Sequence, residues 1–351
     1  MTSLDERLFN ATVGTLELFG VYLGTRLGLY RTLAARGPSR AADLAPAAGI
    51  AERYAHEWLE QQAVAGMVTV DDAGLPAEER SYQLPNEHVG VLVDPDDAAH
   101  VAPFASMIVG IAGALDEVVD AYRSGAGVPY ALYGRSFRDG QGGINRPAFT
   151  TDLVESWLPA VADMHDRLRR PGGRIADVGC GQGWSTIALA QAYPQAEVIG
   201  YDLDAPSISD ARNNAEASGV IVSFERADAS AVRRDGPFDA VLLLETLHDL
   251  ARPVEVLTAC RDGLRPGGAV LVADENVAPT FVAPGDELER MMYGWSISHC
   301  LPAAMAEQPS AAIGTAIRED TVRELASQAG FKNVEVVDVD AGFFRVYRLN
   351  L

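Results

Sequence analysis

Apolar positions in the first tenth of the chain follow helical spacing. Leu16, Phe19, Leu23, Leu27 and Tyr30 recur every three or four residues, which predicts a helix over 15–35. RAADLAPAAGI and AERYAHEWLEQQAVAGMVTV predict two helices around a glycine and then a strand. A polar loop, DDAGLPAEER, leads to a second strand in SYQLP. The longest uncharged apolar run, Val101 to Leu115, is too short to span a membrane and reads as a buried helix. Residues 98–170 read as mostly helical. Within them GVPYALYGRSFRDGQGGINRPAF, rich in glycine and aromatics, reads as an irregular loop, either a lid or a plain linker.

From residue 174 the period changes. Apolar runs at 174–178, 197–201, 220–225, 239–244 and 269–273 alternate with helical patterns, which predicts an α/β sheet of parallel strands. Thr321 to Glu324 has capping-box spacing, with Gly330 as a stop. VEVVDVDAGFFRVYRL then reads as a closing hairpin.

Helix, turn, helix and two-stranded wing is the winged-helix order. Charge decides what such a module can touch. Its second helix, Ala51 to Gln62, carries Glu52, Glu57 and Glu60 against Arg53, and its wing carries Asp71, Asp72, Glu78 and Glu79 against Arg80. Phosphate would repel both, and the whole chain has a net charge of −21. A nucleic-acid or anionic-membrane partner is therefore not expected. Dimerisation, or covering a substrate pocket, is the expected role. With 351 residues two domains are expected, bounded as 1–95 (winged helix), 96–170 (helical linker and lid) and 171–351 (α/β). Cys180, Cys260 and Cys300 are far apart, with no disulfide framework or zinc spacing, and the N-terminus lacks signal-peptide features. A cytoplasmic protein without a metal is the expectation.

The chemistry concentrates in DVGCGQGW, residues 177–184. A glycine turn between a strand and a helix builds a ligand site at the carboxyl end of a parallel sheet, where the helix N-terminus favours a negative group. The dinucleotide pattern fails, because Trp184 stands where it needs its third glycine, and no Gly-Lys-Ser/Thr follows for a phosphate loop. Asp177 precedes the first glycine by two, Asp202 ends the second strand, Asp228 follows the third, and GLRPGG precedes the fifth.

Taken in order, these features resemble the class I S-adenosylmethionine-dependent methyltransferases over about residues 170–351. The resemblance implies a Rossmann-like sheet of seven strands whose last hairpin adds an antiparallel strand. It implies S-adenosyl-L-methionine as cofactor, S-adenosyl-L-homocysteine as product, and no metal. Gly179, Gly181 and Gly183 would lie by the methionine portion, Asp202 at the ribose and Asp228 at the adenine, and Asp177, Leu203 and Ala229 are expected to bind the cofactor too. Glu245 either lines this pocket or is a solvated turn residue. A winged-helix domain ahead of such a domain is similar to small-molecule O-methyltransferases of plants and actinobacteria, whose N-terminal module dimerises. ERYAHEWLEQQAVAG, GQGGINRPAF, ETLHDLARPVEVL and GWSISHCLP resemble a mycobacterial and actinomycete methyltransferase group whose members are often mislabelled as transcriptional regulators. A homodimer is expected.

Methyl transfer is an in-line displacement, so positioning dominates, and a base is needed only for a protonated acceptor. The resembling O-methyltransferases use a His-Asp pair where this chain has His248-Asp249, though Leu250 replaces their usual aromatic. His248 is either that base or a packing residue. His299, in SISHCLP, either contacts substrate or acts as base, or packs between helices. Tyr130, Tyr133, Phe137 and Phe149 either wall an apolar acceptor or belong to a core. The expected activity is methylation of a small molecule, O-methylation of a phenol or enol leading. C- or N-methylation, an S-adenosylmethionine-responsive regulator and a non-methylating enzyme that keeps the cofactor are the alternatives.

Overall fold

Small residues decide how the N-terminal helices meet. The structure, a computed structural model, describes residues 3–351. Its contacts divide the chain into two units, Met1–Ala112 with Arg135–Pro147, and Gly113–Gly134 with Ala148–Leu351. The stretch expected as linker and lid is thus apportioned between the two.

In the first unit, α1 (Leu4–Arg26) opens on a Ser3–Glu6 capping box, and α2 (Leu29–Arg36) follows. The single helix expected over 15–35 breaks at Gly28, whose φ of 67° no helix accommodates. Helices α3 (Ala41–Ala48) and α4 (Glu52–Val64) and the antiparallel pair β1 (Thr69–Val70) and β2 (Tyr82–Gln83) complete the winged helix. The segments α5 (Asn86–Leu92) and α6 (Pro103–Gly113) come next. The buried residues of α1 are Gly20, Val21 and Gly24. Trp58 Nε1 donates to the Gly20 carbonyl at 2.9 Å, and a methyl on Gly24 would lie 2.5 Å from the Tyr30 ring and 2.6 Å from Trp58. Because α1 docks on its small face, Leu4, Leu8, Phe9 and Leu16 are left 60–68% exposed.

The glycine-rich segment expected as an irregular loop is largely helical. Helix α7 (Leu115–Ser124) is followed by a 3₁₀ turn (Tyr130–Tyr133), α8 (Gly134–Pro147) and a π-helical stretch (Ala148–Trp157). Gly134, at φ 72°, turns the chain into α8, whereas Gly140 serves close helix packing. A Cβ on Gly110 of α6 would meet the Phe137 backbone nitrogen at 2.6 Å, and one on Gly140 of α8 would meet that of Met107 at 2.7 Å.

The second unit continues with α9 (Leu158–Ala160) and α10 (Ala162–Leu168). Strands β3 (Arg174–Val178), β4 (Glu197–Asp202), β5 (Ser223–Arg226), β6 (Phe238–Leu244) and β7 (Leu264–Glu275) alternate with α11 (Trp184–Ala192), α12 (Ala205–Ala217), α13 (Ser230–Asp235) and α14 (Pro253–Asp262). After β7 come α15 (Glu287–Trp295), a π-helical turn (Ser296–Cys300), α16 (Leu301–Ala304), α17 (Glu319–Gln328), β8 (Asn333–Val336) and β9 (Phe344–Asn350). The capping box expected at Thr321 is absent: the helix starts earlier, on Arg318 as N-cap, with Glu319 and Asp320 in its first turn. Sheet order is β5-β4-β3-β6-β7-β9-β8, with β9 antiparallel to both neighbours, as the closing hairpin implied. Val178, Leu243, Val272 and Tyr347 cover one face of the sheet, and Leu242, Leu271, Val346 and Trp157 the other. The chain leaves β3 toward β4 and β5, then returns to β6 and β7 on the other side, so a switch point opens at the carboxyl end of β3. No helix of the described residues is long and apolar enough to cross a membrane.

The small-face docking of α1 makes a direct prediction. Gly24→Leu should cost about 1–3 kcal/mol, the usual range for overpacking. Urea unfolding followed by Trp58 fluorescence would measure it, and an unchanged midpoint would disprove the tight contact.

Candidate active site

The glycine turn is held from below. Asp177, 1% exposed, accepts hydrogen bonds from Ser185 Oγ and Thr186 Oγ1, both at 2.6 Å and both from the first turn of α11. Burial pushes its pKa up to about 6 against those two bonds. The backbone nitrogens of Gly179 and Cys180 donate to the Tyr201 carbonyl, tying the turn to β4. Three glycines do three different things. A Cβ on Gly179 would lie 2.5 Å from Thr246 Oγ1, so that glycine admits the turn after β6. One on Gly183 would strike the Phe224 ring at 2.7 Å, so that glycine admits α12 and β5. Gly181, at φ 52°, has nothing within 4 Å of a built Cβ; it is the open one. Cys180 is buried beneath the turn, with its thiol pKa raised by burial, and acts as a filler.

Asp202 ends β4 half-buried. Its Oδ2 accepts from Gly181 N at 2.9 Å and its Oδ1 from Asp204 N at 2.8 Å, so the carboxylate faces the open glycine in a fixed orientation. Burial raises its pKa despite these bonds. Leu203 beside it is 61% exposed. Asp228, exposed beyond β5, accepts from Ser230 N at 2.8 Å and has its pKa lowered by bonds to Ser230, while Ala229 is buried. Helix α11 starts at Gly183 without a side-chain cap, which leaves its first N–H groups to a ligand or water.

Across the switch point, Leu244 of β6 pairs with Ala273 of β7, and Glu245 N donates to the Ala273 carbonyl at 2.7 Å. That bond holds Glu245 at φ 50°, a conformation costing a non-glycine residue about 1–3 kcal/mol. The chain then turns through Leu247–Asp249, with Leu247 buried in the core. His248, 1% exposed, is placed against β7: its Nδ1 lies 2.5 Å from Asp274 Oδ1 and its Nε2 3.3 Å from Asp249 Oδ1. Burial opposes charging the ring, but the Asp274 and Asp249 carboxylates outweigh it and hold its pKa well above the usual value. Cys300 is buried against Asp249 and His248, its thiol pushed up to about 12 by burial. His299 is 1% exposed and edge-on to Tyr133 and Tyr130, with ring centroids at 4.4 and 5.8 Å. Burial, then His248, lowers its pKa to about 3, so its ring is neutral.

Of the four aromatics, Tyr130 and Tyr133 therefore gather at His299. Phe149 packs with Trp157 and Phe344 in the core of the second unit. Phe137 is 1% exposed in the first unit, against Gly110. The pairing Asp249 was to provide is shared: the close partner of His248 is Asp274, from the sequence ADEN at the end of β7. Asp274 and Glu275 went unread, although two acids closing an apolar strand are a legible signal.

Residues 175–268 match the family described as a methyltransferase domain, and residues 15–93 match an Rv2258c-like winged HTH domain. A ubiquinone biosynthesis O-methyltransferase of Cereibacter sphaeroides is 36% identical over 118 residues, 33% of this chain and 47% of that protein. The chain spans about half the length of the curated relatives it matches. Human N-acetylserotonin methyltransferase, solved in complex with SAM, has a similar fold, with a TM-score of 0.67 at 18% identity over 99% of this chain and 98% of that one. The mitomycin 7-O-methyltransferase MmcR matches with a TM-score of 0.67 at 17% identity over 99% and 97%. The fold is that of a class I, S-adenosylmethionine-dependent methyltransferase, preceded by a winged-helix domain. The chain carries both of the domains that its motifs implied.

Asp202→Ala should leave the fold intact and weaken S-adenosylmethionine binding roughly tenfold or more, the scale of a lost hydrogen bond to a charged group. Calorimetry would measure it, and unchanged affinity would exclude Asp202 as a cofactor contact.

Proposed function

We propose that the chain transfers a methyl group from S-adenosylmethionine to a hydroxyl of a small phenol or enol, with His248 as the proton acceptor. The observation that carries this reading is the His248–Asp274 pair, set beside the turn that packs on Gly179. S-adenosylmethionine supplies an electrophilic methyl on its sulfonium. Asp202, oriented by its two backbone bonds, suits the ribose hydroxyls, and the open Gly181 lets a ligand approach the backbone. Asp228 suits the adenine amine, with Leu203 as an apolar ledge and Ala229 behind it. Asp177 braces the turn through Ser185 and Thr186. Gly179 and Gly183 keep it close-packed, and Glu245 lies at the rim of the cofactor pocket.

Asp274 accepts a hydrogen bond from Nδ1–H of His248, which leaves the lone pair of the neutral ring on Nε2, beside Asp249, to receive the proton of an acceptor hydroxyl. Tyr130, Tyr133 and the neutral His299 form an acceptor wall. On this reading no metal is needed. The three free cysteines, all buried, suit the cytoplasm. The test is methyl transfer from labelled S-adenosylmethionine to a panel of phenols, with product homocysteine conjugate measured in parallel.

We further propose a homodimer formed through α1. Its exposed Leu4, Leu8, Phe9 and Leu16 are more apolar surface than a lone helix presents to water. Leu16→Glu should yield a monomer by sedimentation, whereas an unchanged mass would place the contact elsewhere. No nucleic acid is needed as a partner: α4 exposes Glu52 and Glu57, and its Arg53 is paired to Glu57.

A ring that already holds its proton cannot accept another. Since the two aspartates raise the pKa of His248, turnover should be lost as pH falls through that raised value and recover as pH rises. Asp274→Asn removes one of the stabilising charges and lowers that pKa, so the rise should move to lower pH while maximal turnover drops. His248→Ala should cost about a hundredfold or more with cofactor affinity retained. A pH–rate profile that Asp274→Asn leaves in place would exclude His248 from proton transfer.

A further inference from the structure

Five acidic side chains are almost fully buried among the described residues: Asp177, Asp239, Asp274, Glu275 and Glu289. Four have partners that account for them. Asp177 has two hydroxyls, Asp239 has Arg174 N and Arg265, Asp274 has His248, and Glu289 has Arg318 at 2.5 Å. Glu275 is the exception. It closes β7 at 2% exposure, and no group among the described residues hydrogen-bonds its carboxyl. Its charged surroundings are Glu245, Asp249 and Asp274 against His248 alone, and His248 already serves both aspartates. Across the sheet it faces Phe344, which brings no charge.

A buried carboxylate among three others, without a cation of its own, takes up a proton. Burial first, then Glu245, holds the Glu275 pKa well above the carboxylate range, in agreement with that arrangement. Once neutral, the group carries a hydrogen-bond donor, for which a bound ligand competes with the neighbouring carboxylates. Polar atoms of His248, Asp274 and Glu275 all lie within 4.8 Å of one another, a spacing that two neighbouring oxygens of one small ligand can match.

Resting on the methyl-transfer reading, we infer that Glu275 meets the acceptor as a neutral carboxylic acid and donates a hydrogen bond to a second oxygen beside the hydroxyl that is methylated. The acceptor class is then a conjugated compound with a hydroxyl next to a carbonyl. A metal ion would use the same three residues. However, the 2.5 Å separation of His248 Nδ1 and Asp274 Oδ1 is that of a shared proton; ligands each about 2 Å from one ion stand farther apart.

Two measurements on the full chain test this. In infrared difference spectra at neutral pH, the wild type should show the carbonyl stretch of a protonated carboxylic acid that Glu275→Gln lacks. Absence of that band overturns the proposal whether or not the chain transfers methyl groups. With S-adenosylhomocysteine bound, calorimetry should find 2-hydroxyacetophenone bound roughly tenfold tighter than 4-hydroxyacetophenone, the scale of one hydrogen bond. Glu275→Gln, which still donates, should keep that preference, and Glu275→Leu should lose it. Equal affinities, no binding of either isomer, or equal losses in the two variants would each overturn the donor role. Manganese binding that Glu275→Gln abolishes would replace it with a metal site. If the band and the isomer preference appear but no labelled methyl is transferred to any phenol, the methyl-transfer reading fails while the protonated acid stands.

Discussion

The site depends on the pairing of β6 with β3 on one side and β7 on the other. Val178 stands beside Leu243, and Leu244 beside Ala273, so the three strands end on one rim. The glycine turn, the His248 turn and the Asp274–Glu275 pair are the next residues along these strands. Successive side chains alternate between faces, so a slip of one residue in β7 would exchange Asp274 with Glu275. The ion pair that orients His248 would then become an unpaired acid. The apolar residues that hold the register, Val270 and Val272 on one face and Leu271 and Ala273 on the other, are fully buried, which makes such a slip costly.

Much of this was readable in the residues. The strand and turn order, the antiparallel last strand and the strand-end aspartates follow from local patterns, and apolar periodicity records those directly. Distance in sequence hides the rest. Asp274 is 26 residues from His248 and meets it only through the β6–β7 pairing, so Asp249, its neighbour in sequence, looked like the partner. Gly140 reads as a loop residue because composition does not separate a glycine that reverses the chain from one that lets two helices touch. Phe149 is aromatic and close to a helix start, but only the packing of Trp157 and Phe344 shows it to be core.

Charge is handled differently at the two halves of the rim. On the glycine side, carboxylates are satisfied by neutral donors: hydroxyls for Asp177, backbone N–H groups for Asp202. Such partners fix orientation without cancelling charge. On the β6–β7 side, one imidazole stands among several acids. Proton positions there are coupled, so the titration of any one group belongs to the set.

The way α1 is seated has a consequence for how the sequence can drift. Its place in the fold rests on Gly20, Val21 and Gly24, while Leu4, Leu8, Phe9 and Leu16 stay largely exposed. Selection for folding constrains the first set and ignores the second. On the proposed pairing of copies through α1, related chains can diverge in which copies they recognise by substitutions on one helix surface, without a change at the sheet.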